Sequence, residues 1–243
     1  MSARPIEELD SRPLPTGKLS LRRHGASTTA DDVYEVQLDD HLLMSTRWNV
    51  GAGPLVERAL GHFGEQEIDI VLGGLGLGLT AKAVLDLSNV RSLIVVEPIP
   101  ELIEWHEAHL IPAGKPLTED PRCRFVSGDF FDMAAPGGCF DIDDRGRRYD
   151  AIIVDMDRSP RHLLYALNNF FYGIDGLLAI SDKLTDDGVL ALAWTDEPDP
   201  EFIQRLEIIF GHVEAEPVLL DSSHDDAHSV NTIYVARRRD PSI

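Results

Sequence analysis

Asp69-Ile70-Val71-Leu72-Gly73-Gly74-Leu75-Gly76-Leu77-Gly78 is the stretch that decides the fold. Its first four residues read as a buried strand, and Gly73–Gly78 as the turn after it. Leu79–Leu87 continues with helix formers whose apolar residues follow a 3.6 period, and Leu93–Val96 reads as a second strand ending in Glu97. This spacing makes a βαβ unit whose first turn brings backbone N–H groups close to a ligand. Gly74, Gly76 and Gly78 suit a tight turn, close approach and close helix–strand contact. Glu97 lies about twenty residues beyond the turn, where a carboxylate can accept hydrogen bonds from a ribose diol. The unit therefore predicts a nucleoside-containing cofactor. A glycine turn that merely packs is the bland alternative, and it leaves Glu97 without a reason.

Downstream, Arg124–Val126 is a third strand, followed by Ser127-Gly128-Asp129-Phe130-Phe131. Tyr149–Val154 is a largely apolar run ending in Asp155, as suits a parallel strand covered on both faces. Gly188–Ala193 is a fifth strand, and Val213–Leu220 with Val230–Ala236 form a closing hairpin around the polar Asp221–Ser229 loop. Helices are predicted over Gly51–Phe63, Glu101–Leu110, Ser159–Lys183 (broken near Gly173–Gly176) and Asp199–Phe210. Trp105 and His106 are assigned to helix packing, with flanking a ligand as the alternative. Pro112–Pro121 reads as a loop and Ala135–Arg148 as a surface excursion. Upstream, Met1–Lys18 carries three prolines and no periodicity, so a loose start is expected. Leu19 and Leu21 mark a short strand, and Val33–Leu38 and His41–Ser45 flank an Asp39-Asp40 turn. The expected fold is α/β: a doubly wound, mostly parallel sheet over residues 51–243, with a small β unit over residues 1–50.

Lys and Arg total 22 against 42 Asp and Glu, a formal charge of −20. That excludes a nucleic-acid binder held by phosphate contacts and is compatible with a cationic small substrate. There is no run of eighteen apolar residues, and Met1–Pro15 lacks the apolar core of a signal peptide, so no membrane is expected and a cytoplasmic protein is. Cys123 and Cys139 imply no disulfide framework; Cys123 is expected to pack and Cys139 has no evident base.

In an open α/β sheet the ligand crevice lies outside the carboxyl ends of the strands. Gly74–Gly78, Glu97, Asp129, Asp155 with Asp157, and Trp194-Thr195-Asp196 all fall there. From its place Asp129 can meet an adenine amino group, with Phe130 covering a flat ring; a helix N-cap is the alternative for Asp129. A dinucleotide fold shares the first unit. However, the glycines fall at Gly74, Gly76 and Gly78, and the chain ends in a reversed hairpin instead of a second nucleotide-binding half. Both features favour adenosine with a sulfonium tail and no pyrophosphate.

The residues Gly73–Gly78, Val95-Val96-Glu97, Asp120-Pro121-Arg122, Gly128-Asp129-Phe130, Ile152-Ile153-Val154-Asp155, Asn169-Phe170-Phe171-Tyr172 and Leu184–Leu190 carry a resemblance. From Asp69 to Trp194, and more loosely from Tyr34, the chain resembles the spermidine synthase family of polyamine aminopropyltransferases, itself related to the class-I S-adenosylmethionine-dependent methyltransferases. The resemblance implies a seven-stranded sheet of the class-I methyltransferase type, an N-terminal β domain, a small-molecule (polyamine) substrate and a homodimer. It puts Gly74, Gly76 and Gly78 on the nucleoside, Glu97 on the ribose and Gly128-Asp129 on the adenine. It makes Asp155 the first aspartate of the pair that orients the attacking amine and takes its proton. Where the family has its second aspartate this chain has Arg158, with Asp157 one residue early, and Leu77 stands near the family's acidic residue in the glycine turn. An arginine there repels a polyammonium chain and attracts an anion.

Asp155 is accordingly the expected base, with Asp157 beside it, and Arg158, His162 and Trp194 are candidates for the substrate pocket. Aminopropyl transfer from decarboxylated S-adenosylmethionine to an amine is the first reading. Methyl transfer from S-adenosylmethionine, with Arg158 or Arg161 holding a carboxylate, is the second, and a non-catalytic cofactor-binding protein is the third. His224, Asp225, Asp226 and His228 lack a structural-zinc spacing and read as a polar hairpin tip, so no metal is expected.

Overall fold

The structure is a computed structural model that describes residues 6–25, 32–156, 169–219 and 230–238. Asp157, Arg158, Arg161 and His162 lie outside the described residues, as do residues 26–31 and the 221–229 loop with His224, Asp225, Asp226 and His228.

The main sheet has seven strands: β5 (Ile68–Gly73), β6 (Val90–Glu97), β7 (Cys123–Ser127), β8 (Tyr149–Val154), β9 (Leu184–Trp194), β10 (Gly211–Leu219) and β11 (Val230–Arg238). Their order is β10-β11-β9-β8-β5-β6-β7. β5 pairs in parallel with β6 and β8, and β11 is the reversed strand, antiparallel to both β9 and β10. From β5 the chain winds first to β6 and β7, then crosses back to β8, so the winding direction switches between β5 and β8. Both faces are covered. Along β5, Ile70 and Leu72 join one core with α1 (Ala52–Leu60) and α2 (Leu79–Leu85), while Val71 joins the other. That second core holds residues of α5 (Phe130–Ala134), α6 (Ile174–Ser181) and α7 (Pro200–Phe210). Burial on both faces is why these strands read as apolar runs without alternation. No helix among the described residues is long and apolar enough to cross a membrane.

The N-terminal unit is a four-stranded antiparallel sheet: β1 (Ile6–Leu14), β2 (Gly17–His24), β3 (Val33–Leu38) and β4 (His41–Ser45). β1 corrects the expected loose start. It is an edge strand whose register shifts between Glu8 and Asp10, and that irregularity, with Pro13 inside the strand, erases the period-two pattern. Leu19, Leu21, Tyr34 and Val36 from this sheet pack on Leu77 and on Leu102 and Trp105 of α3 (Pro100–Glu107). The Trp105 indole N–H donates to Asp10 Oδ2 at 2.8 Å, tying β1 to the main body. A short helix, α4 (Gly114–Glu119), replaces the loop expected over Pro112–Pro121 and buries Leu117.

Candidate active site

Strand register brings the rim together. Gly73 pairs with Val96 on one side and Val154 on the other, and Glu97 pairs with Ser127, so β5, β6, β7 and β8 end at one level. Just past those ends stand Gly74, Glu97, Gly128-Asp129 and Asp155. Gly74, Gly76 and Gly78 all have positive φ (99°, 49° and 79°). At Gly74 the strand makes its turn against β8, and a Cβ would lie 2.6 Å from the Asp155 carbonyl oxygen. At Gly76 the same atom would meet, among the described residues, only Met44 Sδ, at 3.4 Å. A side chain there would occupy space that now belongs to a cleft.

Glu97 is bound to that turn. Its Oε2 accepts from Leu75 N (2.9 Å) and Gly76 N (3.3 Å), and Oε1 accepts from Ile99 N (3.0 Å). A carboxylate offers about four acceptor positions, so about one is left. The residue is only 3% exposed. Burial pushes its pKa up, against the three N–H donors that favour the charged form.

Asp129 caps α5, with Oδ1 accepting from Phe131 N at 2.8 Å and Asp132 N at 3.4 Å. The cap reading is therefore met, and Oδ2 keeps no partner among the described residues. Asp129 lines a cavity of about 650 Å³ together with Pro98, Ser127, Gly128, Phe131 and Phe171. Phe130 does not cover this space. Its ring is fully buried and lies where a Gly73 side chain would otherwise sit, 2.7 Å from a Cβ built there, so Phe131, one residue on, is the ring on the cavity wall.

A smaller cavity, about 200 Å³, lies over the glycine turn between Leu43, Met44 and Ser45 of β4 and Gly74, Thr80 and Asp155. Asp155 retains solvent-facing surface, yet its carboxyl is closely ringed by protein; a narrow cleft accounts for both. That desolvation pushes its pKa up, while Thr80 Oγ1, donating to Oδ2 at 2.6 Å, works the other way. Thr80 was invisible to sequence reasoning; a hydroxyl in the first turn after the last glycine was the available signal. The β4 lining could be inferred only once the N-terminal sheet was seen to fold over the turn.

Trp194 is not in a substrate pocket. β11 pairs with β9 as far as Trp194, keeping it in the sheet, and its ring packs among Tyr172, Phe202 and Tyr234 at 2% exposure. Cys123 is set in apolar surroundings that push its thiol up to about 12, so it packs. Among the described residues no group of three or more His, Cys, Asp or Glu is arranged to hold a metal ion.

No family model matches the chain. A polyamine aminopropyltransferase of Corynebacterium efficiens is 37% identical over 87 residues, covering 36% of this chain and 15% of that protein. Polyamine aminopropyltransferase 2 of Pseudomonas aeruginosa is 26% identical over 171 residues, 66% of this chain and 44% of its own length. The chain resembles the polyamine aminopropyltransferases. It spans less than half the length of these two curated relatives. Spermidine synthase from Thermotoga maritima superposes with a TM-score of 0.69 at 16% identity, over 97% of this chain and 74% of that one. Human methyltransferase-like protein 13, in complex with SAH, gives 0.55 at 19% identity, over 80% and 82% of the two chains. At these identities the structures establish the fold, which is that of spermidine synthase and the class-I methyltransferases, as the sequence reading expected.

The acceptor atoms on the rim fit the hydroxyl and amino groups of a nucleoside. The open space at Gly76, the remaining acceptor position on Glu97 and the free Oδ2 of Asp129 suit a ligand rich in O–H and N–H donors.

Proposed function

We propose that the protein is an alkyltransferase of the spermidine-synthase type, moving an aminopropyl group from decarboxylated S-adenosylmethionine to a small amine. One observation carries this reading: Gly74–Gly76, Glu97, Asp129 and Asp155 converge from four strand ends on one rim, at the point where the winding of the sheet reverses. When bound, such a cofactor supplies a carbon activated by its sulfonium sulfur. Asp129 Oδ2 would accept from the adenine amino group and Glu97 from a ribose hydroxyl. Thr80 holds Asp155 Oδ2, which leaves Oδ1 to orient the acceptor amine and take its proton. The raised pKa of Asp155 makes it a stronger base than an ordinary carboxylate. Leu43 and Met44 roof the cleft and keep water off the reacting atoms. Asp157, as a second base, and Arg158 and His162, as acceptor-side groups, belong to this reading as proposals.

Methyl transfer from S-adenosylmethionine is the second reading. It is favoured by the absence of any acidic side chain between Gly73 and Gly78, since a turn offering N–H groups and apolar side chains accommodates a carboxylate on the cofactor's tail. Calorimetric titration with S-adenosylmethionine, its decarboxylated form and methylthioadenosine separates the two. A preference of about tenfold, or roughly 1.4 kcal/mol, for the decarboxylated compound supports aminopropyl transfer; the opposite preference supports methyl transfer. Failure of all three to bind removes both.

A further inference from the structure

Beneath the glycine turn lies a histidine that core packing alone does not explain. His106, on α3, is fully buried, and its Nε2 is 3.0 Å from the Gly76 carbonyl oxygen. A carbonyl only accepts, so Nε2 carries the hydrogen and donates it. Nδ1 has no partner among the described residues, and burial lowers the ring's pKa to about 4, so the imidazole is neutral near pH 7. Leaving one buried nitrogen unpaired costs about 1–3 kcal/mol, which an aliphatic side chain in the same space would avoid. The ring sits tightly against the turn: a Cβ on Gly78 would lie 2.7 Å from its Cε1. What the histidine provides, and leucine or methionine would not, is the bond to Gly76.

That bond sets the direction of a peptide. In a planar trans peptide the carbonyl of one residue and the N–H of the next point opposite ways. With the Gly76 carbonyl turned toward α3, the Leu77 N–H is turned away from it, and it donates to no described residue. Leu77 also lines the small cavity that holds Asp155. Meanwhile the Gly76 N–H is held by Glu97 Oε2, so one glycine is gripped at both its donor and its acceptor.

We propose that His106 is a positioning residue, which fixes the Gly76–Leu77 peptide so that the Leu77 N–H is presented to an acceptor atom of the cofactor. The proposal rests on the reading that this turn binds an adenosyl sulfonium. Its test compares His106→Gln, whose amide can keep a donor near the Nε2 position, with His106→Met, which fills similar space without one. His106→Asn, whose amide reaches only the Nδ1 position, is the polar control. Each is titrated calorimetrically with S-adenosylmethionine, its decarboxylated form and methylthioadenosine, and hydrogen exchange across residues 73–79 is followed in the ligand-free protein. Methionine and asparagine are expected to weaken binding by about tenfold, the worth of one net hydrogen bond, and to speed exchange in the turn. Glutamine is expected to stay within about threefold of the unaltered protein, even if all three melt at lower temperature. Equal affinity and equal exchange in the glutamine and methionine variants overturn the proposal and leave His106 a packing residue. Should the unaltered protein bind neither S-adenosylmethionine nor its decarboxylated form nor methylthioadenosine, the proposed function falls; a glutamine–methionine split in exchange would still uphold the grip on the turn, and no split would sink that too.

Discussion

The two ends of the parallel sheet use the same side chains in opposite ways. At the amino ends, Asp69 receives hydrogen bonds from Arg91 and Ser92 and lies 3.1 Å from Arg147, which also reaches Asp141 at 3.2 Å. Arg124 adds a second cation to Asp141 at 3.0 Å, and Asp150 accepts the Asp69 N–H at 2.8 Å. Burial alone would push the Asp69 and Asp141 carboxyls up; hydrogen bonds and charge from these arginines hold them below the ordinary range. At the carboxyl ends, Glu97, Asp129 and Asp155 have no Lys or Arg partner among the described residues and are held by backbone N–H groups and one threonine. Glu97 and Asp155 are shifted up there. One end spends its acids on holding the sheet, and the other keeps them available for a ligand.

The contrast breaks first at Asp155. Asp155→Asn should lower turnover by about a hundredfold to ten-thousandfold, the range for loss of a general base, while calorimetric affinity for the cofactor changes little. Undiminished turnover would show that the acid at this rim has no chemical role. Next in size is an effect of acid on stability, in which the carboxylates of the two ends should act with opposite signs and His106 sides with those of the amino ends. The pKa of His106 falls from 6.5 to about 4 on folding, so the unfolded chain takes the proton first and stability drops as pH falls through that window, by roughly 3 kcal/mol. Glu97 and Asp155, shifted up, contribute the reverse: stability present below their unfolded pKa and lost as pH rises through the raised value. Asp69 and Asp141, shifted down, lose their contribution only as pH falls below the ordinary carboxylate range. Urea melts of the unaltered protein and His106→Gln from pH 7 to 4.5 isolate the histidine, because the carboxylates are common to both. Parallel pH profiles would mean that His106 is not held neutral. Smaller again, Asp69→Ala should cost about 2 kcal/mol, less than a fully buried pair because Arg91 is half exposed, with cofactor affinity unmoved. A fall in affinity would show that the two ends are coupled.

What the sequence disclosed and what it hid divide along similar lines. Strand β5, its turn, α2 and Glu97 were legible because a strand buried on both faces is an unbroken apolar run, and because positive φ at Gly74, Gly76 and Gly78 demands glycine. β1 was hidden because an irregular edge strand has no period to read. The short α4 escaped because its flanking prolines suggested a loop. At the site, sequence placed residues at strand ends but not the direction of their side chains. Phe130 and Phe131 are neighbours, yet one fills the core and the other faces the cavity, a difference set by where Asp129 starts the helix. Trp194 was misassigned because the length of β9 depends on β11, forty residues further on. His106 was assigned to packing, and its apolar surroundings agree with that; its bond to Gly76 depends on a turn thirty residues earlier in the chain.

The finest test concerns Asp129, where capping and ligand binding meet in one carboxyl. Oδ1 satisfies two N–H groups at the start of α5, which would account for an aspartate here with no ligand at all. Asparagine is about as good a cap, since its carbonyl oxygen can take the place of Oδ1, but its second atom is a donor, unable to receive an adenine amino group. Asp129→Asn should therefore leave the melting temperature within about a degree, the cap being conserved, while weakening methylthioadenosine binding by about tenfold for one hydrogen bond to a carboxylate. Asp129→Ala should lower both, with the added stability loss of about 1 kcal/mol measuring the cap alone. If asparagine binds the nucleoside as tightly as aspartate does, the free oxygen faces no ligand. The acid at this strand end would then be structural, as those at the other end of the sheet are, and the division between the two ends would narrow to Glu97 and Asp155.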